Sequence, residues 1–438
     1  MPAPGELCYR CRIGRTGEAR TPSPPTAAAE LPPTCHEWAL MRLTIVRQDY
    51  RPEGLVERVT ERALEALLER NVAVSLYTRA WPQTRLQLVE PLVVDPFHVG
   101  ALWRDWSFAR AACRHVRRSQ PNLVESHERL LCCDIYRASD GVHAEWAEER
   151  QRHKTAAGRI AAKLSPHDRY LLAMERRLYA SPWLRAVICN SRMVKDEIRR
   201  HYGVAESKLH VIYNPVDGEV FHPRLRDARA SVLERHRIDA SGTVFLMAAV
   251  DLARTDVGAA VDAFAQQGPA THMIVMGERN AAARVLAHAH KRGVGDRVTL
   301  AGADTDRQSC YGAADVLVLP SLYDPSPHVA FEAMASTLPV IASTKSGAAE
   351  LLRECDAGLV YPAGDAAGLA AHMQALVDPA ARARLGSNAR RAVLSFSPTA
   401  ITLQQVLLYR DLLASPAPGT AIAVDTRDPI HDLPHHSP

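Results

Sequence analysis

Read for the spacing of its apolar residues, the chain divides into two series of alternating strand and helix that meet near residue 217. The first opens on Met41-Arg-Leu-Thr-Ile-Val46, turns through residues 50–58, carries helix-spaced apolar residues over 55–70, and reaches a second strand at 72–77. Such a βαβ opening is right-handed by default. Residues 102–118 and 149–185 then repeat with helical period, residues 123–124 read as a strand, and residues 187–190 run as a strand into a capped helix over 192–202. Residues 209–217 close this series. The second begins with an apolar strand at 243–250 and repeats through apolar runs at 273–276, 298–301 and 315–319. Helical period returns from Asp365, a capping residue, to about Phe396 with a break at Pro379, and again over 399–413. This alternation predicts an α/β chain with two doubly wound parallel sheets. Residues 1–40 and 414–438, rich in Pro and polar residues without period, are expected to lie outside the fold as a disordered extension and tail, with Met41 a candidate start.

The densest chemistry lies between residues 315 and 350. An apolar run at 316–319 ends at Pro320-Ser321, a Pro-punctuated loop follows, residues 328–336 take up helical period, and a second apolar run starts at Pro339. A buried parallel strand feeding a helix near Pro327 leaves unpaired backbone N–H groups at the helix start, where a phosphate fits. Asp324 in the loop and Glu332 about a turn into the helix have seven residues between them and are expected to face one ligand from two directions. Each also has a plainer reading, Asp324 as a helix cap and Glu332 as a solvated helix position.

Asp324-Pro-Ser-Pro-His-Val-Ala-Phe-Glu332-Ala-Met-Ala, followed by Leu338-Pro-Val-Ile, resembles the spaced acidic pair that marks retaining nucleotide-sugar glycosyltransferases of family four. The resemblance covers residues 41–413 and implies the GT-B fold. In it two Rossmann-like domains face a cleft, an acceptor-side domain over 41–217 and a donor-binding domain over 218–398, with a crossover helix over 399–413. It further implies a nucleoside diphosphate sugar as donor, no metal, Glu332 on the ribose hydroxyls, Asp324 on the transferred sugar, and Pro327, His328 and Val329 at the diphosphate. Gly54 keeps one glycine of a first-loop pair that lies over the phosphates, Gly277 matches a turn near the base pocket, and Arg254 matches the arginine of an Arg-Lys pair that offsets phosphate charge.

The chain departs from that pattern in places. Thr255 stands where the Lys is expected, Asp256 and Thr337 stand where Gly is usual, and Asp324 replaces Glu. Loss of the cation weakens diphosphate binding by about a few kcal/mol in a poorly solvated site; Lys345, after the next strand, is the candidate replacement. Asp304-Thr-Asp306 imitates the metal-binding acids of the other main glycosyltransferase architecture and is read as accidental, since no other ligand set accompanies it.

Residues 125–146 are polar and dense in titratable groups, a composition that marks a cleft. The segment is similar to the acceptor side of bacterial lipopolysaccharide-core glucosyltransferases of the same family, where an Asp-Ile-Tyr run leads to an acid at the position of Asp140. Asp140 is thus the leading candidate for an acid or base contact, and His143 the second, because a neutral imidazole hydrogen-bonds sugar hydroxyls. The implied reaction moves a sugar, with retention, to a lipopolysaccharide-core or other cell-envelope glycan or glycolipid. Two other readings stay open: a catalytically impaired protein that binds a sugar nucleotide or a partner, and a nucleotide-sugar hydrolase or epimerase.

Composition changes this picture in three respects. With 438 residues, 47% apolar and 23% charged, the chain suits two globular cores. Its net charge of +4 is uneven: residues 149–185 hold nine Lys or Arg against three acids, and Trp103, Trp106 and Phe108 lie among arginines. Aromatics beside excess positive charge suit an inner-membrane surface or an anionic glycolipid, whereas no nucleic-acid motif accompanies the charge. Nine cysteines without even spacing read as reduced thiols of a cytoplasmic protein, with Cys8-Tyr-Arg-Cys11 an isolated pair that falls short of a metal site. No run of about eighteen apolar residues predicts a membrane span, and residues 1–40 lack the apolar core of a signal peptide.

Overall fold

The computed structural model describes residues 42–49, 72–81, 90–152, 165–249, 251, 253–277, 279–301, 307–325 and 328–414. They form two parallel sheets. The first has seven strands, β1 (Arg42–Val46), β2 (Ala73–Thr78), β3 (Glu90–Val93), β4 (Leu123–Ser126), β5 (Ile135–Arg137), β6 (Ala186–Cys189) and β7 (Leu209–Val211), in the order β3-β2-β1-β4-β5-β6-β7. The second has six, β8 (Thr243–Ala249), β9 (Thr271–Gly277), β10 (Val298–Leu300), β11 (Val316–Leu319), β12 (Val340–Ser343) and β13 (Gly358–Tyr361), in the order β10-β9-β8-β11-β12-β13. Strand order reverses between β1 and β4 and again between β8 and β11, and ligands of such sheets bind beyond the carboxyl ends at those points.

The sequence explains why these strands are central. All seven residues of β8 and all four of β11 are buried, as strands covered by helices on both faces require. Apolar clusters fill both faces of each sheet. Val216 and Phe221 already belong to the second sheet's core, while Ile401, Val406, Leu408 and Tyr409 of the last helix, Pro398–Ala414, pack against the first sheet. Tyr409 donates its hydroxyl to Glu125 of β4, which is paired with Arg137 of β5 at 2.8 Å. The stretch Pro379–Ala414 contains an 18-residue window whose mean hydropathy, 1.2, suits a membrane span. It is nevertheless two helices, Pro379–Val393 and Pro398–Ala414, whose apolar residues are used in the two cores.

Cys113 and Cys132 are joined in a disulfide, so the cysteines are not all reduced. The bond ties the helix Gly100–Ser119 to the loop after β4, positions that linear spacing gives no reason to pair but that the fold brings to a Cα–Cα distance of 5.8 Å. Cys133, Cys189, Cys310 and Cys355 take no part in a disulfide among the described residues. The Cys8–Cys11 pair, Gly54, Asp304-Thr-Asp306 and Pro327 lie outside the described residues.

Candidate functional site

On the second sheet, β11 ends at Leu319 and the chain reaches the helix His328–Ala335 through the loop that carries Asp324. Main-chain bonds pin this loop. The Asp324 N–H donates to the Lys345 carbonyl at 2.9 Å and its carbonyl accepts from Gly347 N at 2.8 Å, which holds the half-buried Asp324 beside the turn after β12. Glu332 is 1% exposed, so it is not the solvated helix position of the plainer reading. Its Oε2 accepts from the Tyr311 hydroxyl at 2.5 Å and lies 3.9 Å from the Arg307 guanidinium, whereas Oε1 has no partner among the described residues. Burial pushes the carboxyl up to about 7, against the opposing pull of Arg307 and the Tyr311 hydrogen bond. A buried carboxylate oxygen held rigid and left open is an acceptor awaiting a donor from a ligand.

At the helix start, Val329 is buried and His328 is half-buried. The Asn214 amide donates to His328 Nε2 at 2.8 Å, so that nitrogen carries no proton; burial, with Arg47 and Arg307 nearby, lowers the imidazole to about 4. Arg47 and Arg307 are therefore the cations closest in effect to this helix start, and neither was singled out from the sequence. Lys345 is not such a cation, which corrects the reading of it as a replacement charge: its ammonium is held by Glu145 and, at 2.8 Å, by Glu149, both nearly fully buried on the helix His143–Arg152 of the first domain.

Arg254 reaches across the cleft. Its guanidinium stands 5.4 Å from the Trp146 ring centroid and 5.5 Å from that of Tyr323, and Nη1 donates to the Asp140 carbonyl at 3.2 Å. Thr255 Oγ1 donates to the Asp251 carbonyl at 2.6 Å, and the Asp256 carboxylate caps the helix Val257–Phe264 through Ala259 N at 3.0 Å. Asp256 is thus spent on a helix terminus. Gly277 closes β9 where a Cβ would come within 2.2 Å of the Ala249 carbonyl oxygen, so close packing on β8 accounts for the glycine.

On the first sheet, a cavity of about 570 Å³ opens beyond β1 and β4, at the reversal of strand order. Arg47, His127, Glu128, Asp140, Asn190 and His328 are among the residues that line it. Asp140 is exposed at its wall. Glu128 accepts from Gln48 N at 3.0 Å, and burial, followed by the charges of Asp140 and Asp105, raises its carboxyl to about 7. His143, by contrast, does not line this cavity. Its ring faces Asp168 at 3.1 Å, and burial and Arg129 lower it to about 4, so its place is beneath the helix it begins. The cavity thus brings Asp140 and His328 together from the sequence candidates, while Glu332, Asp324 and Arg254 lie outside its lining. Tyr311 and Arg307, which hold Glu332, precede it by more than twenty residues and share no local pattern with it. Asn190 sits at the carboxyl end of a parallel strand, a position that does carry a signal for ligand contact.

The two halves each match a family model: residues 56–220 that of Glycosyltransferase Family 4, and residues 230–392 that of Glycosyl transferases group 1. The crystal structure of WaaG, a glycosyltransferase involved in lipopolysaccharide biosynthesis, superposes with a TM-score of 0.70 at 18% identity over 84% of this chain and 99% of that one. This chain is a GT-B glycosyltransferase. The glycosyltransferase is also 26% identical over 383 residues, 83% of its length and 94% of the relative's, to a probable transglycosylase of Burkholderia thailandensis. The fold of Anabaena HepE, solved in complex with UDP and glucose, matches with a TM-score of 0.64 at 18% identity, over 85% of this chain and all of that one.

Proposed function

We propose that this glycosyltransferase moves a sugar from a nucleoside diphosphate donor to a lipopolysaccharide-core or similar cell-envelope glycan, with retention and without a metal. The observation that carries the reading is Glu332: a nearly fully buried carboxylate, fixed through one oxygen by Tyr311 and open at the other, one turn into the helix where the diphosphate is expected. That oxygen accepts from the ribose hydroxyls, Asp324 orients the transferred sugar, and the helix start at His328 and Val329 receives the diphosphate. Arg254 offsets part of its charge, and Arg47 and Arg307, close enough to His328 to depress its basicity, supply what the missing Lys at 255 would have given. As in the resembled family, retention without a protein nucleophile has the leaving phosphate oxygen assist the acceptor's attack on the same face. HepE, which binds UDP and glucose, supports the donor class, and WaaG, which is involved in lipopolysaccharide biosynthesis, supports the acceptor class.

Thr255 favours a second reading, a GT-B protein that binds a sugar nucleotide without transferring it, because the hydroxyl is turned to the Asp251 carbonyl. Product analysis with a panel of UDP-, GDP- and ADP-sugars, with and without deacylated lipopolysaccharide, separates the two. Transfer is expected. Donor binding without any product would establish the impaired form, and free or isomerised sugar would establish a hydrolase or epimerase.

A further inference from the structure

Asn190 follows β6 and precedes Ser191, the cap of the helix Arg192–Tyr202. Ser191 is fully employed, accepting from Val194 N at 3.3 Å and donating to the Pro325 carbonyl at 3.1 Å. Asn190 is not. It is 1% exposed, it lines the cavity beyond β1 and β4, and both its amide nitrogen and its amide oxygen are without a partner among the described residues. A buried amide left open at both ends costs stability, and a fold has no structural reason to keep it. Whatever enters the cavity must therefore accept from Nδ2 and donate to Oδ1.

The charges of the same cavity narrow the choice. Of the four lining arginines, three are already neutralised, Arg104 by Asp105 at 2.9 Å, Arg129 by Glu175 at 3.2 Å and Arg137 by Glu125 at 2.8 Å, and the fourth, Arg47, is the one assigned above to the diphosphate beside His328. Glu128 and Asp140, lining it too, form no ion pair among the described residues. A phosphate group offers acceptors only, so away from Arg47 it would leave the Asn190 oxygen unpaired and stand against the Asp140 carboxylate, and like charges in a partly desolvated site repel. A sugar hydroxyl both donates and accepts, and so satisfies the amide and the carboxylates together.

We infer that Asn190 is a specificity-determining residue of the acceptor subsite, and that this cavity takes a neutral, unphosphorylated sugar, held through its hydroxyls by Asn190, Glu128 and Asp140. The inference rests on the transferase reading above and names its acceptor class.

The test compares wild type with Asn190→Ala, using deacylated lipopolysaccharide core before and after enzymatic dephosphorylation as acceptor. Wild type is expected to use the dephosphorylated form with a kcat/KM at least about tenfold higher. Asn190→Ala is expected to raise the acceptor KM about tenfold, the value of roughly one hydrogen bond, to leave UDP-sugar affinity unchanged, and to melt at the same or a higher temperature. A lower melting temperature with unchanged acceptor KM would make Asn190 merely structural and overturn the proposal, as would equal or better use of the phosphorylated core. If wild type transfers to neither form, the transferase reading has failed, and Asn190 is judged by calorimetric binding of the dephosphorylated oligosaccharide. Equal binding by wild type and variant then overturns the inference, and weaker binding by the variant upholds it.

Discussion

At Glu332 burial and charge pull in opposite directions, and the outcome can be measured. Its carboxyl is raised to about 7 from an ordinary 4.5. Between those values the folded chain binds a proton here that the unfolded chain does not, so the stability gained is complete below about 4.5 and lost as pH rises through 7. Ionisation in place costs roughly 3 kcal/mol, and the ionised form is the one that accepts ribose hydroxyls. Glu332→Gln should therefore be more stable than wild type at pH 8, with the difference vanishing near pH 4, yet bind the donor about tenfold more weakly at pH 8. Melting curves and donor titrations across that range check both, and parallel stability profiles for the two proteins would refute the argument. Thr337 poses a separate residue-scale question. It ends the helix His328–Ala335 in a left-handed conformation, φ +70°, with Leu338 N bonded to Ala333 O at 2.9 Å and Thr337 N to Met334 O at 3.0 Å. A β-branched residue is strained there, and its hydroxyl is buried without a partner among the described residues. Thr337→Gly should gain about 1 kcal/mol in denaturant unfolding, strain relief exceeding the added freedom of the unfolded chain.

At the scale of elements, what was legible in the sequence is what repeats locally. The apolar runs of β8 and β11 and the helical periods around Asp365 and Pro379 announce themselves because burial acts on neighbours along the chain. The acidic spacing of Asp324 and Glu332 was readable for the same reason. What escaped is what the fold assembles from far apart: the tyrosine and arginine that hold Glu332, the Cys113–Cys132 bond, and the open amide of Asn190. Lys345 escaped in the same way. It is 200 residues from Glu145, yet it joins the turn after β12 to the helix His143–Arg152 across the two domains. Its removal should cost about 2 kcal/mol, less than a fully abandoned buried pair, since Arg200 and His201 still face Glu145 and Arg152 still faces Glu149. Lys345→Ala is accordingly expected to melt several degrees lower and to show a larger radius of gyration by X-ray scattering. An unchanged radius would mean that this ion pair does not hold the domains together.

At the scale of the whole molecule, the proposed acceptor role of the cavity makes a prediction about the surface near it. One end of the helix Gly100–Ser119 presents Trp103, 42% exposed and set edge to face against Phe97, itself 76% exposed, with Val99 beside them at 67%. Arg110, Arg114 and Arg117 follow Trp103 at seven, eleven and fourteen residues, which puts them on one helical face, and all are exposed. Arg104, Asp105, Phe108 and Ala109 of the same helix line the cavity. A glycolipid whose sugar enters there would keep its lipid near the aromatic tip, so the expected behaviour is reversible docking on an anionic membrane face. Each arginine near such a leaflet contributes on the order of 1 kcal/mol, and salt screens that attraction over about 8–10 Å, whereas burial of the aromatic tip does not depend on salt in this way. Cosedimentation with anionic vesicles should therefore fall steeply as salt rises. Phe97→Ser with Trp103→Ser should lower binding at every salt concentration, and Arg114→Glu with Arg117→Glu should abolish the preference for anionic over neutral vesicles. Equal recovery on neutral and anionic vesicles by the wild-type protein, or no binding at low salt, would make this helix an ordinary solvated face.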